Sequence, residues 1–287
     1  MTESASYNRL RVNGVELAWS ERGTGPGATP ALVLVHGFTG AAHDFTLHVG
    51  ALAARRRVVT IDQRGHGRST RTGALEDYSV DQLTSDLIAF VETVGGGPVD
   101  LLGHSMGGRV VMGLALRRPD LVHSLILMDT SAWSFMPDND ELVTLARAFM
   151  DDFDPARGMP RALSLGSPED TLIAANVPAA WQQEKEVIFA GMDPYAVKAL
   201  GTALMADVEV EDGRAPLRGE LASIACPTTV IVGEHDHPLV DQAPELAASV
   251  ADGRLTVVAG AYHSPQLTHP DDWRAAVEAH LAWVGPS

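Results

Sequence analysis

Val99-Asp-Leu-Leu-Gly-His-Ser-Met-Gly-Gly-Arg-Val-Val-Met-Gly-Leu-Ala-Leu-Arg-Arg118 decides the fold. A short apolar run, Val99–Leu102, breaks at Gly103-His104-Ser105-Met106-Gly107 and passes at once into a second apolar segment, Met106–Arg118, that stops before Pro119. The first run reads as a buried strand and the second as a helix. Between them stands G-x-S-x-G. A serine in so sharp a strand-to-helix turn takes a strained backbone, and small residues on both sides keep side chains from striking neighbouring backbone. Such a turn lifts Oγ clear of the sheet at a helix N-terminus, where free N–H groups favour negative charge. An incidental serine in a tight glycine turn would not need both flanking elements.

Outward from this turn the same grammar repeats. Ala31–Val35 ends in His36-Gly37, Val58–Ile61 in Asp62, Leu125–Met128 in Asp129, Thr228–Val232 in Gly233, and Leu255–Val258 in Ala259-Gly260. Continuous apolar runs of this length suit parallel strands covered on both faces. Helical spacing fills most of the gaps. Ser79–Val94 places Val80, Leu83, Leu87, Ile88 and Val91 on one face behind Ser79 as N-cap, and Asp271–Val284 carries Trp273, Val277, Leu281 and Trp283. Residues 7–20 read as two strands around the Asn13-Gly14 hairpin signal. Alternating strands and helices predict a mostly parallel sheet with helices on both faces. The alternation lapses over residues 131–220, where helical patterns carry Met136, Met150, Met159, Met192 and Met205 with Trp133, Phe135, Phe149, Phe153, Trp181 and Phe189. This stretch is expected to be a helical cap inserted after the sixth strand, with residues 1–130 and 221–287 as the core.

Bulk properties narrow the function. The 287 residues carry 21 Lys+Arg against 37 Asp+Glu, a net charge of −16. So acidic a surface repels phosphate backbones and anionic headgroups, which counts against nucleic acid and membrane partners. The lone cysteine, Cys226, precludes an internal disulfide and a multi-thiolate metal site, and is expected to be packing. Met1 to Tyr7 is polar and no apolar run reaches membrane-spanning length, so the cytoplasm is the expected location.

The chain resembles the α/β-hydrolase superfamily. The likeness rests on Gly103–Gly107, on His36-Gly37-Phe38, and on Asp62-Gln63-Arg64-Gly65-His66-Gly67-Arg68-Ser69. It covers nearly all of the sequence outside the cap and points to a lidded serine esterase-like branch. The resemblance implies the base in the loop after the last strand, which selects His263 among 11 histidines. A base is needed because a serine hydroxyl is a poor nucleophile at neutral pH. The base in turn needs an acceptor, and Asp236 and Asp129 compete. The Gly233-Glu234-His235-Asp236 pattern, read through the resemblance, favours Asp236. Backbone N–H groups of Phe38 and Met106 are the expected oxyanion donors, and His36 is expected to support that loop.

The reaction so implied is hydrolysis of a small carboxylic ester through an acyl-enzyme on Ser105, with no metal or organic cofactor. The cap composition suggests an apolar acyl or aromatic group, with Trp133, Phe135 and Trp181 as candidate contacts. Rival readings remain. His36-Gly37-Phe38-Thr39-Gly40 together with Ser105–Arg109 is similar to the menaquinone-pathway synthase that eliminates pyruvate. There Arg109 would grip a substrate carboxylate, helped by Arg147, Arg157 or Arg161; otherwise Arg109 is a solvated helix residue. A carbon–carbon hydrolase is disfavoured by Ser264-Pro265-Gln266 after the base, and a non-catalytic small-molecule receptor by the intact residue set.

Overall fold

A computed structural model of the chain describes residues 7–24, 29–133, 135, 140–159, 167–206 and 218–285. Eight strands form one sheet: β1 (Asn8–Val12), β2 (Val15–Arg22), β3 (Leu32–Val35), β4 (Val58–Ile61), β5 (Val99–His104), β6 (Val122–Met128), β7 (Thr228–Gly233) and β8 (Gly253–Val258), in the order β1-β2-β4-β3-β5-β6-β7-β8. β1 and β2 form a hairpin through Asn13 (φ 44°) and Gly14 (φ 82°), and β2 meets β4 antiparallel; every later pairing is parallel. The Asn-Gly pair tolerates these positive φ values, as a tight two-residue hairpin turn requires.

Helices α1 (Thr46–Leu52), α2 (Val80–Val94) and α3 (Met106–Arg117) precede β6 in sequence, and α4 (Asp140–Asp152), α5 (Pro168–Asn176), α6 (Ala179–Ala190) and α7 (Pro194–Ala206) follow it. Helices α8 (Leu239–Ser249), α9 (Pro265–Thr268) and α10 (Pro270–Val284) complete the chain. Ser79 caps α2 as its position suggests, its Oγ accepting from Gln82 N at 3.0 Å.

The continuous apolar strands are explained by two cores. Val33, Val35, Leu101, Leu125, Leu127 and Val230 face α2, α3 and α8, while Leu32, Leu34, Leu102, Ile126 and Ile231 face α1 and α10, centred on fully buried Trp273. Alternate residues serve opposite faces, so neither side of the strand can be polar. β8 departs from this reading. Leu255 and Val257 stay 37% and 47% exposed, because β8 is an edge strand covered on one side only. No helix among the described residues is long and apolar enough to cross a membrane.

The four helices α4–α7 sit on the loops that leave the carboxyl ends of the strands. Trp181 Nε1 donates to Thr46 Oγ1 at 2.9 Å, Asp193 N to Gly65 O at 2.9 Å, and Asn176 Nδ2 to Thr268 O at 2.6 Å. No strand occurs among the described residues between β6 and β7. Met150 and Met192, each 2% exposed, pack within the body of the protein; Met136 and Arg161 lie outside the described residues.

The crossing of β3 and α3 tolerates no side chain at position 107. A Cβ on Gly107 would lie 2.5 Å from both Val35 O and His36 O, backbone atoms that no rotamer change can move. Gly107→Ala is therefore expected to cost about 1–3 kcal/mol, read as a lower denaturant midpoint at unchanged slope.

Candidate active site

Ser105 has φ 53° and ψ −121°, one of four positive-φ residues other than glycine among the described residues. Its N–H donates to Met128 O at 2.9 Å, and Thr130 Oγ1 donates to Ser105 O at 2.6 Å, so the neighbouring strand holds the strained turn from both sides. Gly103 and Gly107 make the turn possible, since a Cβ at 103 would meet Gly107 O at 2.5 Å.

The structure brings His263 and Asp236 to this serine. His263 Nε2 lies 3.0 Å from Ser105 Oγ, and His263 Nδ1 lies 2.9 Å from Asp236 Oδ2. The imidazole is held by its own loop as well. His104 Nε2 donates to His263 O at 2.8 Å, and Glu234 Oε2 accepts from Gly260 N at 2.7 Å, bracing the turn that leaves β8. Burial pushes the His104 pKa down to about 3, so its ring is neutral and serves as a fixed donor. His36 does the same for the opposite wall. Its Nδ1 donates to Gly37 O at 2.8 Å while Nε2 accepts from Gln63 N at 3.0 Å, tying the loop after β3 to the loop after β4. Neither Phe38 N–H nor Met106 N–H has an acceptor among the described residues.

Electrostatics separate the two competing carboxylates. Asp129 is fully buried; burial first, and then the Asp236 charge, raise its pKa well above the ordinary range. Its Oδ1 accepts from Gly233 N at 2.8 Å. Its Oδ2 is buried without a hydrogen-bond partner, and the presence of the Asp129 carboxyl beside Asp236 helps keep that residue ionised. Burial alone would raise Asp236, but the His263 charge and hydrogen bond, followed by the Asp129 carboxyl, outweigh it and lower its pKa. For His263, burial works against the charged ring, yet the Asp236 charge and hydrogen bond, with Glu169 adding to them, raise its pKa. Asp236 thus meets the imidazole, and Asp129 stands beside Asp236 with its pKa raised by burial and by that neighbouring charge.

Glu169 was not singled out by sequence. It lies in the first turn of α5, and its Oε1 accepts from Ser264 N at 2.5 Å, one residue beyond the base. Only the docking of α5 on that loop reveals it. A capping-box run, Ser167-Pro168-Glu169-Asp170, marks the helix start but says nothing of what Glu169 touches.

A cavity of about 160 Å³ opens beside Ser105, lined by residues 37–40, Asp44, His104, Lys185, His263, Ser264 and Gln266. Trp133, Phe135, Trp181 and Arg109 do not line it. Arg109 is 6% exposed; its Nε donates to Ser131 O at 3.2 Å, its Nη2 to Trp133 O, and its guanidinium lies 4.3 Å from the Phe135 ring centre. It is neither a solvated helix residue nor a group offered to the cavity, because the carbonyls of the chain leaving β6 claim it. Trp181 is a packing residue, stacked on His43 at 4.4 Å between ring centres. Arg157 pairs with Asp154 in solvent. Among the described residues the walls are largely polar, where the composition of residues 131–220 suggested apolar ones.

The alpha/beta hydrolase fold family matches residues 30–270, and the chain belongs to that family. Among characterised relatives, the dihydrolipoyllysine-residue acetyltransferase component of an acetoin cleaving system of Pseudomonas putida is 41% identical over 120 residues, 42% of this chain and 31% of that protein. An sn-1-specific diacylglycerol lipase of Mus musculus is 39% identical over 109 residues, 37% of this chain and 34% of the lipase. The chain therefore spans about a third of the length of these relatives. Of solved structures, a thermophilic esterase from Thermogutta terrifontis superposes with a TM-score of 0.73 at 24% identity, covering 98% of this chain and 99% of the esterase. An epoxide hydrolase from Bacillus megaterium reaches 0.79 at 19% identity, covering 96% and 100%. At these identities the superpositions speak for the fold.

Two substitutions check the electrostatics. Glu169→Gln removes a charge that favours the imidazolium, so the His263 pKa read by NMR titration should fall; an unchanged value would refute the role. Asp129→Asn keeps the oxygen that accepts from Gly233 N and should leave thermal stability nearly unaltered. Asp129→Leu strands buried polar partners and should cost about 1–3 kcal/mol.

Proposed function

We propose that this hydrolase cleaves small carboxylic esters through an acyl-enzyme on Ser105. The observation that carries the reading is the chain of contacts from Asp236 Oδ2 through both His263 nitrogens to Ser105 Oγ, at 2.9 and 3.0 Å. These separations are within the reach that proton transfer requires. Ser105 Oγ attacks the acyl carbonyl while His263 Nε2 takes its proton. Asp236 fixes the tautomer with Nδ1–H and stabilises the imidazolium. The N–H groups of Phe38 and Met106 hold the carbonyl oxygen as it becomes an oxyanion. His263 then returns the proton to the leaving alcohol, and a water deprotonated by the same ring releases the acid.

Epoxide hydrolases share the fold, but the residue at the turn in this chain is serine, whose hydroxyl forms an ester that a histidine-activated water can cleave. The lyase reading required a cation at position 109 facing the substrate, and the engagement of Arg109 with Ser131 and Trp133 removes its motive. Helices α4–α7 act in this reading as a lid, with residues 131–220 as the cap, limiting the site to small molecules.

Ser105→Ala should lower turnover of a short p-nitrophenyl ester by about 10⁶-fold; retention of wild-type activity would end the proposal. The pH profile supplies a second check. The neutral ring is the active form, so kcat/KM should fall as pH drops through the raised pKa of His263, above the ordinary value of about 6.5. Asp236→Asn should move that limb to lower pH and cost about 10⁴-fold in turnover.

A further inference from the structure

We propose that the cavity beside Ser105 carries an anion subsite built on Lys185, and that the preferred substrate is an ester or lactone whose acyl group ends in a carboxylate. The proposal rests on the Ser105 reading for its chemistry, but its binding half stands on the following geometry.

Helix α6 delivers Lys185 to the cavity. Trp181 and Lys185 are four residues apart and share a face. Trp181 is pinned by three contacts: Nε1 to Thr46 Oγ1 at 2.9 Å, its carbonyl to His43 Nε2 at 3.0 Å, and its ring stacked on His43. This fixes the helix so that the next turn places Lys185 in the cavity wall with Ser105 and His263. Lys185 Nζ lies 5.4 Å from the Trp181 ring centre and donates to Asp44 Oδ1 at 2.7 Å.

The Lys185–Asp44 pair is unequal. The Asp44 side chain is 6% exposed, and Ala41 N donates to its Oδ2 at 3.2 Å, while the Lys185 side chain is 39% exposed. The carboxylate is thus buried and its oxygens engaged. An ammonium has three N–H donors, and Asp44 is the only acceptor of Lys185 among the described residues. Two donors are left on the exposed side of the pair.

A second observation points the same way. Gln266, 1% exposed, lines the cavity opposite the helical segment, and its buried Oε1 has no hydrogen-bond partner. Its backbone carbonyl is held by His48 Nε2 at 2.7 Å, so the residue is anchored while its amide is left over. Buried amides without partners are uncommon and costly. Oε1 only accepts, so a carboxylate would meet this side chain through the Nε2 donors of the same amide, brought round by a turn of its terminal torsion, with Lys185 as the second donor. The volume of about 160 Å³ is near that of a cavity that holds benzene, roughly six non-hydrogen atoms. That size is close to the acyl part of the half-ester of a short dicarboxylic acid, about seven non-hydrogen atoms for a succinyl group, with the alcohol part left toward the opening. On a chain of net charge −16, a cation at the reacting centre gives such an anion a local attraction that the overall field does not.

The test compares monomethyl succinate with methyl 4-oxopentanoate, a nearly isosteric ester without the charge, by acid release at pH 8. The wild type should favour the anionic ester by about 10- to 100-fold in kcat/KM, as a charge-assisted hydrogen bond allows. Lys185→Met should bring that ratio near one, and Lys185→Arg should keep most of it. Succinate binding to Ser105→Ala protein, read by calorimetry, supplies a measure independent of turnover, and Lys185→Met in that background should weaken it by about 10-fold or more. A wild type without preference, a preference that survives Lys185→Met, or succinate binding indifferent to Lys185 would overturn the subsite. Hydrolysis of the neutral ester would then leave the Ser105 reading intact. Failure to cleave either ester, with lysine-dependent succinate binding, would overturn the Ser105 reading and uphold the anion site.

Discussion

A single backbone torsion organises the molecule. With φ at 53°, Ser105 cannot be followed or preceded by a bulky side chain at positions 107 and 103, while its amide carries the β5–β6 ladder one step further to Met128 O. The cost of such a conformation is of order 1–3 kcal/mol. What opposes it is the burial of both faces of β5 and of nearly all of α3. The turn is rigid because the elements on either side have no freedom to relax. An exposed serine on a loop would have none of this support, and its hydroxyl would have no fixed point at which to meet a histidine.

Around that fixed point the site is assembled from chain ends rather than from elements. His263, Asp236 and the unengaged N–H groups of Phe38 and Met106 lie in segments that leave the carboxyl edge of a parallel sheet, as the crevice rule for open α/β sheets anticipates. Polar residues with no direct part in chemistry do the holding. Neutral His104 and His36 supply donors that cannot be titrated away near neutrality, their pKa values being pushed to about 3 and about 4 by burial. Burial raises the pKa of Asp129 while the charge of His263 lowers that of Asp236, so negative charge is favoured on the carboxylate that faces His263. Two adjacent buried carboxyl groups do not both ionise, and the division of roles follows from which one the imidazole touches.

The helical segment between β6 and β7 contributes more than cover. It brings two charges to the serine: Glu169 against the loop of the base and Lys185 into the cavity. Both contacts cross between parts of the chain that are far apart in sequence, so displacement of these helices would alter the imidazole and the cavity together. The lining is polar because the large apolar residues of this segment are used for its own packing and for seating it on the sheet. Met150 and Met192 are buried, and Trp181 is clamped between His43 and Thr46.

The sequence alone determined the parallel sheet, the strand-to-helix turn at Ser105 and the loops bearing Asp236 and His263. These depend on local signals: uninterrupted apolar runs, glycines where a Cβ has no room, and chain order. Edge exposure of β8 was not legible, since an apolar run looks the same whether one or both faces are covered. Only the tertiary structure decided which carboxyl group meets the imidazole, and that Arg109 spends its donors on Ser131 and Trp133. It alone set Glu169 against the loop of His263 and Lys185 in the cavity wall with Ser105. A side chain's partner depends on the relative placement of distant segments, and a helix pattern gives a buried face without saying what that face is buried against.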